Sequence, residues 1–254
     1  MSIDYPKARQ FQKQANSIYL RFKTDNIWGI KVWYSHAQYF ENGCVRAFVG
    51  INPGGSENSH SKSSLAQWLK WPYAREDYSA WLDEDVGSHH HSVQELFKLL
   101  YGSYWRRAIR KTASFNVAPF HTRKSKDLTT DIWQAATPWF RKVLQHIDPR
   151  LIICNGNAEH PGKSPWAIFI RSYGASLIRE DKIAQGSGYS VKFGQIPHES
   201  AALGGTRILA LPNLGQAGYV PEHSDFVKLK SQLRRFIAMN KRNFRYSINK
   251  FDKV

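Results

Sequence analysis

Arg46-Ala47-Phe48-Val49-Gly50-Ile51-Asn52-Pro53-Gly54-Gly55-Ser56 is a short apolar run that stops at a polar, glycine-rich turn. An apolar run bounded this way reads as a buried parallel strand ending in a loop. In open α/β sheets, ligands bind outside the carboxyl ends of the strands, so Asn52 stands where a ligand would sit. Pro53 fixes its own φ and pushes Asn52 toward an extended backbone, while Gly54 and Gly55 let a ligand approach the main chain. The same residue types also build an ordinary strand-ending turn.

The pattern recurs along the chain. Ala113 to Pro119 (ASFNVAP) runs into Phe120-His121-Thr122-Arg123, Leu151 to Cys154 runs into Asn155-Gly156-Asn157, and Arg207 to Leu211 runs into Pro212-Asn213-Leu214-Gly215. Helical spacings separate these strands: Tyr5 to Phe22, a segment opened by the capping-box pattern Ser92-Val93-Gln94-Glu95, a helix entered at Thr137-Pro138, and Ser224 to Met239. The alternation predicts an α/β fold, a three-layer α/β/α sandwich around a central, mainly parallel four-stranded sheet. Ile27 to Ser35 reads as a further short strand, and Ser176 to Ile196 as an inserted antiparallel hairpin around Gln185-Gly186-Ser187-Gly188. Right-handed crossovers would gather the strand ends at one edge, so that Asn52, Asn116, Asn155 and Asn213 line a single cleft.

Asn58 to His91 has little periodicity and reads as a long loop region rich in Ser, His and aromatic residues. Trp68, Trp71, Tyr73, Tyr78 and Trp81 either line a groove that stacks bases or sugars, or pack a lid onto the core. His89-His90-His91 reads as solvated loop, because three adjacent histidines on a helix or strand do not converge on one ion.

The length of 254 residues suits one domain, with a basic tail from about residue 240 to 254. Lys plus Arg number 36 against 20 Asp plus Glu, a net charge of +16 that points to a polyanionic partner. Nucleic acid fits better than a membrane, since no apolar run reaches the roughly 18 residues of a span and the start MSIDYPKARQ is polar. With no such segment the expected location is intracellular, in the cytoplasm or on a nucleoid, and the expected state is a monomer. Cys44 and Cys154 read as small hydrophobes in a reducing compartment, too few for a four-thiolate metal site; no cofactor and no metal are expected. Gly54-Gly55 with Lys62-Ser63 lacks the Gly-Lys-Ser/Thr of a phosphate loop, and no GxGxxG occurs. Phosphate contacts are expected from Arg123 first, then from Arg106, Arg107, Arg110, Lys111, Lys124 and Lys126, and from the tail Lys241 to Lys250 with Phe244 and Tyr246 interleaved, although such runs are often just solvated faces.

Taken together, these residues resemble a known family. GINPG (Gly50 to Gly54) is similar to the first active-site motif of the uracil-DNA glycosylase superfamily, in the variant of its mismatch-specific uracil and thymine branch. SFNVAPFHTR resembles the base-recognition strand, LIICNGNAE the central strand ending in Asn-Gly, and LPNLGQAGY the loop that enters the duplex. The likenesses occur in the family's order and cover about two thirds of the chain.

The resemblance implies an enzyme that flips a nucleotide out of duplex DNA and hydrolyses its N-glycosidic bond without a cofactor. On that reading Asn52 positions the attacking water, while Ile51, Asn116 and Trp68 hold the base; an amide offers both donor and acceptor to a Watson–Crick edge. Asn116 also reads as a strand residue bonded to a neighbouring loop. Pro212, Asn213, Leu214, Gly215, Gln216 and Arg123 would contact DNA, with Leu214 or Gln216 as the wedge filling the vacated space; Leu214 reads equally as a loop anchor. Family members commonly carry a His or Asn at the start of the last motif, where this chain has Leu211. His121, Asn213 or a backbone N–H would then stabilise the leaving base. Ser56-Glu57-Asn58-Ser59-His60-Ser61 suits a bulky, hydroxyl-rich group better than a tight uracil slot, which points to a sugar-decorated cytosine of phage DNA and a role in antiviral defence. A non-catalytic DNA-binding module on the same fold is the alternative of another class.

Overall fold

A strand with helices on both faces must bury every side chain along its middle, and Ala47 to Gly50 are all buried. The computed structural model describes residues 5–24, 27–51, 78–84, 87–122, 127–159, 164–183, 190–214 and 224–238. Within these the chain runs α1 (Pro6–Phe22), β1 (Ile27–Ile30), α2 (Gln38–Asn42), β2 (Arg46–Gly50), α3 (Ala80–Asp83), α4 (Gly87–Tyr101), a 3-10 turn (Gly102–Tyr104), α5 (Trp105–Arg110), β3 (Ala113–Asn116), β4 (Phe120–Thr122), α6 (Thr130–Ile147), β5 (Leu151–Asn155), α7 (Pro165–Tyr173), β6 (Ser176–Lys182), β7 (Ser190–Gln195), β8 (Arg207–Leu211) and α8 (Ser224–Ala238).

The main sheet is mixed and six-stranded, in the order β3-β2-β5-β8-β7-β6. Ala47 pairs with Ala113 and Ile152, and Leu151 with Arg207, all in parallel. The chain then turns back, so that β7 runs antiparallel to β8 and β6 antiparallel to β7. The expected count of four strands is thus corrected to six: the hairpin extends the sheet at its edge instead of standing apart from it.

Alternation along the strands sorts the helices. Phe48 meets Trp81 of α3 at 5.5 Å and Phe97 of α4 at 6.3 Å, and Phe193 meets Phe236 of α8 at 5.1 Å. Phe115, beside Val49, points the other way, to Phe40 of α2 at 5.7 Å and Phe140 of α6 at 5.5 Å. Phe140 in turn touches Phe169 of α7 at 6.2 Å. Helices thus cover both faces of the sheet, an arrangement compatible with three α/β/α layers. Trp139 ties α1 down by donating its indole N–H to the Phe11 carbonyl at 3.0 Å.

Four expectations are corrected. The strand at Ile27 ends at Ile30 and pairs with β4 in a separate two-stranded sheet, so Phe120–Thr122 is a strand and not a turn. Ser92 does not start a helix: α4 already begins at Gly87, and the Ser92 hydroxyl donates to the Ser88 carbonyl at 3.1 Å. Thr137-Pro138 lies inside α6, which begins at Thr130 because Ile132, Trp133 and Ala136 extend its buried stripe. Local propensity yields there to burial, with the Thr137 hydroxyl back-bonding to the Trp133 carbonyl at 2.7 Å. Of the long loop region, Ala80–Asp83 and the histidines are helical. No helix among the described residues is long and apolar enough to cross a membrane.

Candidate active site at the carboxyl edge of the sheet

Asn116 ends β3 directly beside Gly50 at the end of β2. A Cβ built on Gly50 would fall well inside contact distance of Asn116 Oδ1, so the carboxamide occupies the space that only glycine leaves open. Beyond the strand the chain folds along the same edge: the Val117 N–H donates to the Gly50 carbonyl at 3.0 Å and the Ala118 N–H to the Ile51 carbonyl at 3.0 Å. Asn116 is 7% exposed, and among the described residues its carboxamide takes no hydrogen-bond partner. A nearly buried amide normally has one, so this side chain is available to a ligand at the edge.

The next strand end is built differently. Asn155 Oδ1 accepts the Leu214 N–H at 2.7 Å, and the Gly156 N–H donates to the Leu211 carbonyl at 2.8 Å. Asn155 therefore serves the loop after β8, which it holds against β5. Ile51 points to the opposite face, where its Cδ1 would touch a Cβ on Gly156 at 3.4 Å, next to Ser164 and Pro165 at the start of α7. Ser164 caps that helix by accepting the Ala167 N–H at 3.3 Å.

Of the residues singled out in the sequence, the fold brings Ile51, Asn116, Pro212, Asn213 and Leu214 to this edge. Leu214 is 2% exposed, so in this structure it anchors its loop. His121 is buried on β4 opposite Gly29, on the small two-stranded sheet. Asn52, Trp68, Arg123, Gly215 and Gln216, with Trp71, Tyr73, the polar run 56–61 and the tail from 239, lie outside the described residues. Tyr78 and Trp81 belong to the core, where Trp81 stacks on Tyr34 at 4.8 Å; they are not groove residues.

Two groups at this edge escaped the sequence reading. His89 and His90 are not solvated loop: both lie on α4 with their rings against Trp81, at 5.6 Å and 4.9 Å. The signal was present, since His89 continues the apolar stripe Val93, Leu96, Leu100 backward at helical spacing. The His89 ring lies edge-on to the Trp81 indole, and its Nδ1 is buried with no partner among the described residues. The second group surrounds Lys192, whose buried ammonium pairs with Glu159 at 2.5 Å and lies 4.0 Å from Glu180. Beside it, the Asn157 carboxamide donates to the Ser190 carbonyl at 2.5 Å. No cluster of His, Cys, Asp and Glu able to hold a metal ion occurs among the described residues.

Burial, and after it the neighbouring His90, pushes the His89 imidazole down to about 4 from its ordinary 6.5. The folded state thus prefers neutral His89, and its contribution to stability is complete above pH 6.5. It is lost as the pH falls from there toward 4, where the unfolded chain holds the extra proton, at up to about 1.4 kcal/mol per pH unit. Urea unfolding at pH 7 and pH 4.5 is expected to show a markedly smaller loss of stability in His89→Phe than in the parent protein.

Part of the positive charge is structural and lies at the opposite edge. Arg46, Arg207 and Arg234 donate to the carbonyls of Lys111, Phe236 and Leu99 at the ends of α5, α8 and α4, at 3.4, 2.9 and 2.8 Å. Arg110 forms a two-pronged pair with Asp83 at 3.1 Å. Arg106, Arg107 and Lys111 are exposed, but α5 leads into the amino end of β3 and so points them away from Asn116.

Fold and site together describe an α/β protein with an amide at a polar sheet edge that takes no partner among the described residues. No protein-family model matches the chain, and no curated protein matches it at a significant level.

Proposed function

We propose that the protein is a monofunctional DNA N-glycosylase, which everts a damaged or modified pyrimidine nucleotide and hydrolyses its N-glycosidic bond to leave an abasic site. The observation that carries this reading is the Asn116 carboxamide, nearly buried, without a partner among the described residues, and laid across Gly50 of the GINPG stretch. An amide at that spot can both donate to and accept from the edge of an everted base. Two residues on from Gly50, Asn52 is the residue assigned to the attacking water. An amide orients water but is a poor general base, so the reaction must rely on a base that leaves readily. Charge develops on that base as the sugar becomes oxocarbenium-like, and hydrogen-bond donors at the edge stabilise it. The net charge of +16 suits the polyanionic substrate and makes its affinity fall steeply with salt.

Within this reading the polar run Ser56 to Ser61 favours a cytosine carrying a hydroxyl-rich substituent, as in sugar-decorated phage DNA, and a role in antiviral defence. The test uses matched duplexes carrying uracil, thymine opposite guanine, or glucosylated hydroxymethylcytosine, scored for alkali-labile abasic sites. Product from the modified cytosine is expected. Product from uracil alone keeps the glycosylase and removes the modified substrate; duplex binding with no product from any of the three makes the protein a binding module. Asn52→Ala is expected to lower the cleavage rate by about 100-fold or more, the scale of a lost positioning contact, and to leave duplex affinity unchanged.

A further inference from the structure

We propose that the amino edge of the sheet, opposite the candidate active site, carries a second nucleic-acid surface, which holds a single strand against Tyr104. Tyr104 closes the 3-10 turn between α4 and α5 and is 71% exposed, more than any other large hydrophobic side chain among the described residues. Its phenol takes no hydrogen bond among those residues, so the ring contributes little to folding and presents its faces to solvent. The turn that displays it is held firmly. Trp105 beside it is buried, and Arg234 of α8 donates to the Leu99 carbonyl at 2.8 Å while its Nη2 would stand 3.3 Å from a Cβ on Gly102. A platform fixed in this way loses little entropy when a ligand settles on it. From Lys98 to Lys111 the chain carries five cations and no carboxylate. Lys98 and Arg110 are paired with Glu95 and Asp83, Arg106 lies over the Trp105 ring at 4.6 Å, and Arg107 has no ion pair among the described residues. Tyr104, Arg107 and Lys111 are all exposed and follow one another at i, i+3 and i+7, so they share one face in a stripe about 10 Å long. Such a stripe fits a single strand: the cations meet phosphates and an unpaired base stacks on the ring. A duplex keeps its bases stacked and offers the ring nothing. An anionic membrane needs an apolar face as well as charge, and between Lys98 and Lys111 Tyr104 is the only exposed apolar side chain. Because α5 leads into the amino end of β3 and Asn116 stands at its other end, this surface is separate from the glycosylase site and does not depend on that reading.

Binding measurements on the full chain test this, and they stand whichever way the cleavage assay falls. The probe is a fluorescein-labelled oligothymidylate of about 12 nucleotides, followed by anisotropy over a range of salt. Tyr104→Ala is expected to weaken its binding about tenfold, the scale of one base stacked on an aromatic ring, and to leave binding of a blunt duplex unchanged. Tyr104→Phe keeps the ring and is expected to bind as the parent does. Arg106→Gln combined with Arg107→Gln is expected to lower the slope of log affinity against log salt by about 1.4, two phosphate contacts at about 0.7 each on a single strand. Irradiating the parent with the same oligonucleotide carrying bromodeoxyuridine is expected to cross-link the peptide that contains Tyr104. Unchanged binding in Tyr104→Ala, an equal loss in Tyr104→Phe, or cross-links confined to other peptides overturns the proposal. So does binding to vesicles of anionic phospholipid that Tyr104→Ala abolishes while the oligonucleotide binds as before, which would make this a lipid-facing surface.

Discussion

Replacing Gly50 by alanine is expected to lower the kcat/KM of cleavage by about 100-fold or more while leaving the protein folded. The new methyl carbon would overlap Asn116 Oδ1 but stand 3.5 Å from Asn116 Cγ, which is ordinary contact. The clash therefore falls on the tip of one short side chain, and rotation of the carboxamide relieves it at a cost of about 1–3 kcal/mol. The rotated amide no longer presents its donor and acceptor to a base, and a lost pair of oriented hydrogen bonds lowers kcat/KM by about 100-fold or more. Gly194→Ala is the control. Its methyl would stand 2.5 and 2.7 Å from two carbons of the fully buried Trp166 indole. That ring has no room to swing, so Gly194→Ala is expected to lower the urea midpoint more than Gly50→Ala does, without a selective loss of turnover in the fraction that stays folded. A Gly50→Ala protein that is stable and fully active would remove Asn116 from the site.

The contrast between the two glycines also indicates what could be read from the chain and what could not. Gly50 was legible as the end of a buried strand, and β2, β5 and β8 fall within a residue of where their apolar runs place them. Periodicity fails where burial and propensity disagree: Thr137-Pro138 has the chemistry of a helix start, yet the apolar face before it is large enough to carry the helix across the proline. Pairing is also hidden, because alternation shows that β6 and β7 form a hairpin but not that β7 joins β8 and enlarges the sheet. At the site, the sequence put Asn116 and Asn155 in one cleft as equals. Their different roles depend on which partner comes within reach across the sheet: Asn155 meets the Leu214 N–H and is used, while Asn116 meets a glycine and takes no partner among the described residues. No local pattern carries that distinction, since it arises from strand order and a loop that returns from more than fifty residues later.

If Asn116 reads the base, then the chemistry of its terminal atoms decides which base is accepted, and two substitutions separate the cases. Asn116→Ala removes both donor and acceptor and is expected to lower kcat/KM by about 100-fold or more on every substrate. Asn116→Asp keeps the size and an oxygen against Gly50 but loses the donor. A cytosine-derived base presents an exocyclic amine that a carboxylate can still accept, whereas uracil presents an O4 acceptor that a carboxylate repels. Asn116→Asp is therefore expected to retain more activity on modified cytosine than on uracil, measured as the ratio of the two kcat/KM values against the same ratio in the parent protein. A merely structural Asn116 predicts another result: both substitutions would shift the unfolding midpoint, and the ratio would not move. Because the carboxamide takes no partner among the described residues, the folded protein has little to lose from either change, and the effect should fall on the substrate.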